Sequence, residues 1–408
     1  MRIGTLMVPA LAALALAACA AEEPGRDVSG FDRDYQAELM NALLDAQPGD
    51  VIEIPEGNFL IERGLSLTVD GVTIRGQGMD RTILSFAEQR QGAEGLLVSG
   101  ADDFTIENLA IEDTLGDALK ITDGENIVIR GVRVEWTNGP STENGAYGLY
   151  PVQSKNVLIE DSVAIGASDA GIYVGQSETI IVRNNRAEFN VAGIEIENSN
   201  DADVYGNVAT NNTGGILVFN MPHLPRPGAG TRVFDNDVFE NNTANFGHAG
   251  TPVASVPAGT GILINSNDDV QIFNNRLRDN RTAHVIISSY RSADFSRQLA
   301  PEGFGEYPEA IWVYDNAYEG GGGNPDEMML QAARIALFGP TGRLPAVIWD
   351  GYVAPDYAEA GWPEDRRICV NDAEVLYVRD PDGDAEPTVD AAAFDCTLTP
   401  RDPVVLDL

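Results

Sequence analysis

Three phrases decide the fold of this chain, because they repeat at a spacing of 22 residues: Ala170-Gly171-Ile172, Ala192-Gly193-Ile194 and Gly214-Gly215-Ile216. A second element repeats between them: Val182-Arg183-Asn184-Asn185, Val204-Tyr205-Gly206-Asn207 and Val233-Phe234-Asp235-Asn236. A period in the twenties with strand-like residues is typical of a solenoid, in which each repeat buries its apolar face only against its neighbours. The spacing therefore predicts an all-β solenoid of stacked, parallel strands.

Asparagines mark the ends of one strand type along this repeat. They form two series in constant register: Asn185, Asn207, Asn236, Asn275 and Asn316, and then Asn190, Asn212, Asn241 and Asn280. Asparagine tolerates the left-handed backbone conformation of tight turns, and its amide can bond to the asparagine one turn away. We expect two structural asparagine ladders and assign none of these residues to a functional site.

The other strand type follows the repeated glycines. Because side chains alternate across a strand, residues such as Ile172 and Ile194 point inward and the residues after them point to solvent. Stacked parallel strands lie ~4.8 Å apart, so the outward residues form one column. The predicted column consists of Lys120, Tyr150, Tyr173, Glu195, Leu217, Leu263 and Ile286.

The ends of the solenoid carry different patterns. Apolar residues at helical spacing from Asp34 to Ala46 predict an N-terminal helix that caps the open end of the core. The repeat becomes unrecognisable at Gly321, so we expect the β-helix over residues 33–320 and an irregular C-terminal cap over residues 321–408. Cys369 and Cys396 predict a disulfide in this cap, as suits an oxidising compartment.

The N-terminus has the pattern of an export signal. Residues 1–18 combine Arg2 with a short apolar run, and Leu16-Ala17-Ala18-Cys19 resembles a bacterial lipobox, in which the cysteine is lipidated. Residues 19–32 are then a flexible tether. We expect an outer-membrane lipoprotein on the periplasmic or cell-surface side, which contacts the membrane only through its lipid anchor.

The charge balance limits the partners. With 63 acidic and 26 basic side chains, the formal net charge is −37. Such an excess argues against nucleic acid as a partner, since binding to phosphates needs a basic face. It is compatible with a solvated acidic surface or with bound calcium, and we expect a monomer.

The helix, the Pro48-Gly49-Asp50 turn and the asparagine-ended repeats together resemble the right-handed parallel β-helix of the pectin-lyase-like superfamily. Two phrases are similar to exported proteins with NosD-type repeats: Gly193-Ile194-Glu195-Ile196-Glu197-Asn198 and Pro257-Ala258-Gly259-Thr260-Gly261. This resemblance implies the fold and export. It also implies the polysaccharide lyases and uronate epimerases of this fold, which neutralise a sugar carboxylate and remove the adjacent proton.

The polar half of the outward column is the candidate site. Four insertions, at residues 137–146, 219–230, 244–257 and 289–308, are expected to wall both edges of this sheet and to leave a groove. Tyrosines stack on sugars, and lysine and carboxyl groups serve as acids, bases or cation ligands. The candidate catalytic residues are Lys120, Tyr150, Tyr173 and Glu195, with Asp117, Asp169 and Glu197 as substrate-binding residues and Arg130 and Arg183 as further cations.

The leading hypothesis is therefore a polysaccharide-binding protein, with chemistry of lyase or epimerase type left open. Two alternatives remain: a non-catalytic scaffold or assembly protein that binds a protein partner, and a periplasmic metal-handling factor. The metal-handling alternative rests on Met221, His223 and His248, which border the same sheet in two insertions and are residue types that bind soft metal ions. No cofactor is certain from the sequence, calcium is compatible with it, and the metal ligands are unknown.

Overall fold

A computed structural model describes residues 26–292 and 300–408. The first fifteen strands are β1 (Val51–Glu53), β2 (Gly57–Leu60), β3 (Arg63–Leu67), β4 (Thr73–Arg75), β5 (Thr82–Ser85), β6 (Gln91–Ser99), β7 (Thr105–Glu112), β8 (Leu119–Thr122), β9 (Glu125–Glu135), β10 (Tyr147–Val152), β11 (Lys155–Glu160), β12 (Val163–Ile165), β13 (Ala170–Gly175), β14 (Glu178–Arg183) and β15 (Arg186–Glu188).

The chain continues with strands β16 (Ala192–Glu197), β17 (Asn200–Tyr205), β18 (Val208–Thr210), β19 (Gly214–Phe219), β20 (Ala229–Phe234), β21 (Asp237–Phe239), β22 (Thr260–Asn265), β23 (Val270–Phe273), β24 (Arg276–Arg278), β25 (Ala283–Ser288), β26 (Ile311–Tyr314), β27 (Ala317–Glu319), β28 (Val347–Trp349), β29 (Ile368–Val370), β30 (Val375–Arg379) and β31 (Glu386–Asp390). Three α-helices accompany them, α1 (Tyr35–Leu44), α2 (Met328–Phe338) and α3 (Pro355–Ala360), with 3-10 turns at Pro252–Ser255, Glu364–Arg366 and Ala392–Phe394.

These strands confirm the predicted right-handed parallel β-helix. A 12-stranded sheet, which we call the glycine-strand sheet, runs from β3 through β13, β16 and β19 to β31. A second, 19-stranded sheet forms the remaining faces. Every pairing within the glycine-strand sheet is parallel except the terminal β30–β31 pair.

The core is a set of vertical columns inside the coil. Ile172, Ile194 and Ile216 stand in register on adjacent strands, as the repeat predicts. All three are fully buried. Because each repeat buries its inner face against the next, the hydrophobic stabilisation extends along the whole axis and has no single centre.

The asparagine ladders are also present. In the first ladder, Oδ1 of Asn207 accepts hydrogen bonds from the backbone N–H and the side-chain amide of Asn185, at 2.9 and 3.1 Å. One detail of the prediction was wrong: the left-handed conformation belongs to the residue before each ladder asparagine. Asn184 has a φ of 56° and Asp235 a φ of 54°. The preceding residue turns the chain, and the asparagine then points into the stack.

Helix α1 covers the open end of the core with Leu39 and Leu43, as predicted. Part of the predicted tether is docked as well. Asp32 forms a parallel bridge to Phe59, and Arg26 pairs with the buried carboxylate of Glu112. The chain is therefore packed against the solenoid from Arg26 onward, whereas the predicted signal peptide, Cys19 and the rest of the tether lie outside the described residues.

The solenoid extends beyond the predicted boundary at residue 320. Strands β28 and β29 continue the two sheets by parallel pairing with β25 and β26. The repeat is lost in the sequence because helices and long loops separate these short strands. Cys369 and Cys396 form a disulfide that links β29 to the turn ending at Phe394, with their Cα atoms 5.1 Å apart.

The insertion at residues 244–257 lies across the glycine-strand sheet. Its Val253 and Val256 are buried in a cluster with Leu217, Phe219 and Leu263. Leu217 of the predicted outward column is thus covered by this insertion, whereas Ile286 at the far end of the column stays partly exposed. Within the two ranges that the structure describes, we find no helix with the length and hydrophobicity needed to span a bilayer.

Candidate functional site

The candidate residues come together on four adjacent strands of the glycine-strand sheet. Strand register places Lys120 of β8 beside Tyr150 of β10, and Tyr173 of β13 beside Glu195 of β16. The tyrosine–carboxyl surface, as we call it, consists of Asp117, Lys120, Tyr147, Tyr150, Asp169, Tyr173, Glu195 and Glu197.

Three tyrosine rings form the centre of this surface. The centroid of Tyr147 lies 4.5 Å from that of Tyr150 and 4.6 Å from that of Tyr173. Tyr150 and Tyr173 meet edge to face at 5.0 Å. Aromatic pairs at these distances are mutually stabilising, so the rings hold one another in place.

Tyr147 is the residue that the sequence analysis missed. Its spacing of three from Tyr150 puts the two side chains on opposite faces of a regular strand. In the structure β10 departs from strict alternation, with Gly148 and Leu149 both buried between the two tyrosines. The signal available in the sequence was a second tyrosine at the start of a glycine strand, directly after an insertion.

Two polar members of the predicted outward column are not open to solvent. Tyr173 is 3% exposed and Glu195 is 1% exposed, although alternation predicted both to face water. Tyr173 belongs to the same buried cluster as Val253 and Val256 of the crossing insertion. The accessible part of the surface therefore consists of the partly exposed Asp117, Lys120, Tyr147, Tyr150 and Glu197.

Lys120 is the cation of this surface. Its Nζ lies 3.9 Å from an Asp117 carboxylate oxygen and 5.0 Å from the centroid of the Tyr150 ring. The first distance is long for a hydrogen-bonded ion pair, and the second is typical of a cation–π contact. Lys120 therefore makes no short ion pair with Asp117, and its ammonium lies over the Tyr150 ring.

The carboxyl groups have strongly perturbed protonation. Burial raises the pKa of Asp117 to about 6, against the opposing charge of Lys120. Burial and then the charge of Glu197 raise the pKa of Asp169 to about 8. Burial raises the pKa of Glu197 to about 7, although a hydrogen bond from Tyr173 lowers it. These groups exchange protons near neutral pH, where ordinary carboxyl groups are fully ionised.

Glu195 is the most deeply placed of the carboxyl groups. Burial and the neighbouring Asp169 raise its pKa well above the ordinary range. Its Oε2 atom is buried and has no hydrogen-bond partner among the described residues. A charged carboxylate there would be costly, so the protonated acid is the form that this environment favours.

Other predicted residues are placed elsewhere. Arg130 and Arg183 both pair with Glu160 on the 19-stranded sheet and take no part in the tyrosine–carboxyl surface. His223 and His248 are exposed on separate loops. Among residues 26–292 and 300–408, no group of three histidine, cysteine or acidic side chains is arranged to hold a metal ion.

The comparisons with known proteins concern the fold. Residues 60–223 match the family model of the right handed beta helix region. No curated protein matches this chain significantly in sequence. Among solved structures, the A-module of the Azotobacter vinelandii mannuronan C-5 epimerase AlgE4 is similar with a TM-score of 0.54 and 19% identity, over 72% of this chain and 86% of that module.

Two further structures are similar at lower scores. The AlgE6 A-module of Azotobacter vinelandii has a TM-score of 0.47 and 19% identity, over 71% of this chain and 84% of that module. The family 28 exopolygalacturonase of Yersinia enterocolitica has a TM-score of 0.41 and 12% identity, over 70% of this chain and 62% of that enzyme. What this chain shares with the AlgE4 module and with the family model is the right-handed parallel β-helix.

Proposed function

We propose that this protein binds a polysaccharide on the tyrosine–carboxyl surface. One observation carries the proposal: three mutually packed tyrosine rings stand beside Lys120 and four carboxyl groups on one sheet face. Aromatic rings pack against the apolar faces of sugars, and carboxyl and ammonium groups hydrogen-bond to sugar hydroxyls. The AlgE4 module, which has the same fold, is named for its action on mannuronan, and this agrees with the proposed ligand class.

The accessible geometry determines how a sugar would bind. One face of Tyr150 is covered by the Lys120 ammonium, which must move before a sugar ring can stack there. The ammonium then becomes available to a hydroxyl or carboxylate of the same sugar. Asp117 and Glu197, which flank the tyrosines and are partly exposed, supply hydrogen-bond acceptors when ionised and donors when protonated.

The charges favour a neutral or partly acidic chain. A polyuronate meets a single ammonium and four carboxyl groups, whose negative charge increases as the pH rises through their raised pKa values. Binding of an acidic polysaccharide is therefore expected to weaken from pH 6 to pH 9. Binding of a neutral one should change much less.

Modification of a uronate is the second candidate, and the arrangement of Asp117, Lys120 and Tyr150 favours it. Lys120 would neutralise the sugar carboxylate, and Asp117 would remove the proton from the adjacent carbon. Burial raises the pKa of Tyr150 to about 12, so its phenol keeps its proton and can donate it. Proton return to the opposite face gives epimerisation, and loss of the neighbouring oxygen substituent gives chain cleavage with a new double bond.

The test uses the purified chain with a panel of neutral glycans and polyuronates, with and without Ca²⁺. Calorimetry measures binding, and proton NMR detects unsaturated ends or inverted uronate signals. We expect Tyr150→Ala to reduce glycan affinity by tenfold or more, and the matched variant Tyr205→Ala, on the 19-stranded sheet, to leave it unchanged. Equal affinity for Tyr150→Ala and the unmodified protein, with folding intact, would refute the site assignment.

We further propose that the protein is an outer-membrane lipoprotein anchored through Cys19. Support comes from the lipobox-like Leu16-Ala17-Ala18-Cys19 phrase after a short apolar run. Labelling of expressing cells with a radioactive fatty acid should mark the unmodified protein and not Cys19→Ser. Equal labelling of both, or label in neither, would contradict the anchor.

A further inference from the structure

A cavity lies on the glycine-strand sheet beside the crossing insertion, and its lining includes Phe219, which stands in register with Glu197 of the tyrosine–carboxyl surface. It has a volume of about 420 Å³ and lies between Pro257 of the insertion and Leu330 of helix α2. This volume is in the range of small-molecule sites in proteins. Tyr147, Tyr150 and Tyr173 are not among its lining residues, so variants of the cavity can be compared with Tyr150→Ala.

The floor of this cavity is apolar. Leu263, Ile286 and Ile348 stand on the adjacent strands β22, β25 and β28 and line it. Stacked aliphatic side chains favour a ligand with an apolar group of matching size, because its burial removes apolar surface from water.

Two polar atoms of the lining residues lack a hydrogen-bond partner in the described part of the chain, Nδ2 of Asn265 and Nε1 of Trp349. Asn265, which is 2% exposed, accepts a hydrogen bond from the Ser288 hydroxyl at 3.2 Å, whereas its Nδ2 has no partner within the described part of the chain. A buried amide without an acceptor is costly to the fold unless a water or a ligand supplies one. The unpartnered end of this amide therefore favours a ligand with a hydrogen-bonding group close to its apolar group.

The rim adds a second chemical constraint. Asp350 lines the cavity and accepts hydrogen bonds from Ser289 and from Ser292, and Glu327 lines it from the end of the loop before α2. Two acidic side chains disfavour an anionic ligand and favour one that carries N–H or O–H donors.

We infer that this cavity binds an acetamido group of an uncharged sugar residue. The methyl group would pack on Leu263 and Ile286, the carbonyl oxygen would accept a hydrogen bond from Asn265 Nδ2, and the amide and hydroxyl donors would face the acidic rim. The sugar part of this inference rests on the proposed polysaccharide function, whereas the acetamido part rests on the cavity alone.

The test compares an N-acetylglucosamine trimer with a glucose trimer of the same linkage, which carries a hydroxyl in place of each acetamido group. Calorimetry is run on the intact protein, on Asn265→Leu and on Leu330→Trp, which narrows the cavity from helix α2. Leu337→Trp, exposed on the same helix, is the matched control. We expect the unmodified protein and the control to prefer the acetylated trimer by tenfold or more, and both cavity variants to lose that preference.

The two proposals fail in different ways. Acetylated-trimer binding that Tyr150→Ala abolishes and both cavity variants keep would overturn the cavity inference and leave the proposed function standing. Loss of binding in the cavity variants alone supports the cavity. Equal binding of both trimers, or binding of neither while other glycans bind, overturns the inference. If Asn265→Leu fails to fold, Leu330→Trp still decides the question.

Discussion

The phenol of Tyr173 donates a hydrogen bond of 2.7 Å to Oε1 of Glu197, two positions along the next strand of the sheet. The bond joins the aromatic and the acidic parts of the candidate site into one unit. It stabilises the carboxylate form of Glu197 and opposes the burial that raises its pKa to about 7. Proton exchange at neutral pH therefore depends on a tyrosine that is itself almost completely buried.

Removal of this phenol should shift the titration of Glu197. In Tyr173→Phe the carboxylate loses its hydrogen-bond donor, so we expect the pKa of Glu197 to rise further. Carbon-13 NMR of labelled glutamate side chains over pH 4–10 measures it. Tyr205→Phe, which removes a phenol from the other sheet, is the control and should leave this titration unchanged. A lower pKa in Tyr173→Phe would contradict the role of the bond.

Stability should fall as the pH rises through the neutral range. The folded-state pKa of Asp169, about 8, lies above its ordinary value of 3.8, so the folded protein holds a proton that the unfolded chain releases. This contribution is complete below pH 4 and is lost as the pH rises towards 8. Each such proton changes the free energy of unfolding by at most about 1.4 kcal/mol per pH unit.

Asp169→Asn tests this pH dependence of the free energy of unfolding directly, because the asparagine amide cannot ionise. Denaturant unfolding at pH 5, 7 and 9 should show a smaller loss of stability in Asp169→Asn than in the unmodified protein. The exposed variant Asp80→Asn, which lies on a surface turn, is the control and should keep the original slope. Parallel pH profiles for Asp169→Asn and the unmodified protein would show that Asp169 ionises normally.

The crossing insertion should control access to Glu195. Val253, 2% exposed, packs in the cluster that covers the sheet, and Val253→Asn places an uncharged polar group in it. We expect faster proteolysis within residues 244–257 and a fall in the pKa of Glu195, because burial is the main cause of its elevation. Ala249→Asn, exposed in the same insertion, should change neither. A cleaved insertion with an unchanged Glu195 titration would show that the cover lies elsewhere.

The asparagine ladder should be costly to interrupt. Asn236 accepts two hydrogen bonds from Asn207 and donates one to the carbonyl of Val204. Asn236→Ala leaves these buried groups without partners, at about 1–3 kcal/mol for each unsatisfied group. We expect a loss of about 3 kcal/mol or more in denaturant unfolding, and little change for the exposed Asn58→Ala. Equal stability of the two variants would contradict a structural role for the ladder.

The disulfide should stabilise the C-terminal end. Cys369 and Cys396 are separated by 27 residues, and closure of a loop of this size contributes about 3–4 kcal/mol in the chain-entropy model. We expect the double variant Cys369→Ser and Cys396→Ser to unfold at lower denaturant concentration. A reductant should lower the unmodified protein to the same midpoint and leave the double variant unaffected. Insensitivity of the unmodified protein to reductant would contradict this stabilisation.

Several features of this fold could be predicted from local patterns. The spacing of Gly171, Gly193 and Gly215 requires stacked turns, and the asparagine series requires constant register between them. The continuation of the solenoid through β28 and β29 could not be predicted in this way. These strands are three residues long, and the helices and loops between them remove the period that identifies a repeat.

The sequence by itself determined the β-helix, its N-terminal cap and the column that contains Lys120, Tyr150, Tyr173 and Glu195, because each follows from a period that the backbone geometry imposes. Only the tertiary structure decided which of these side chains meet water. The insertion at residues 244–257 folds back over the sheet and packs against Tyr173 and Leu217. The burial of a strand residue depends on where a distant loop packs. The periodicity of the strand's own sequence does not predict the contact between that loop and the strand.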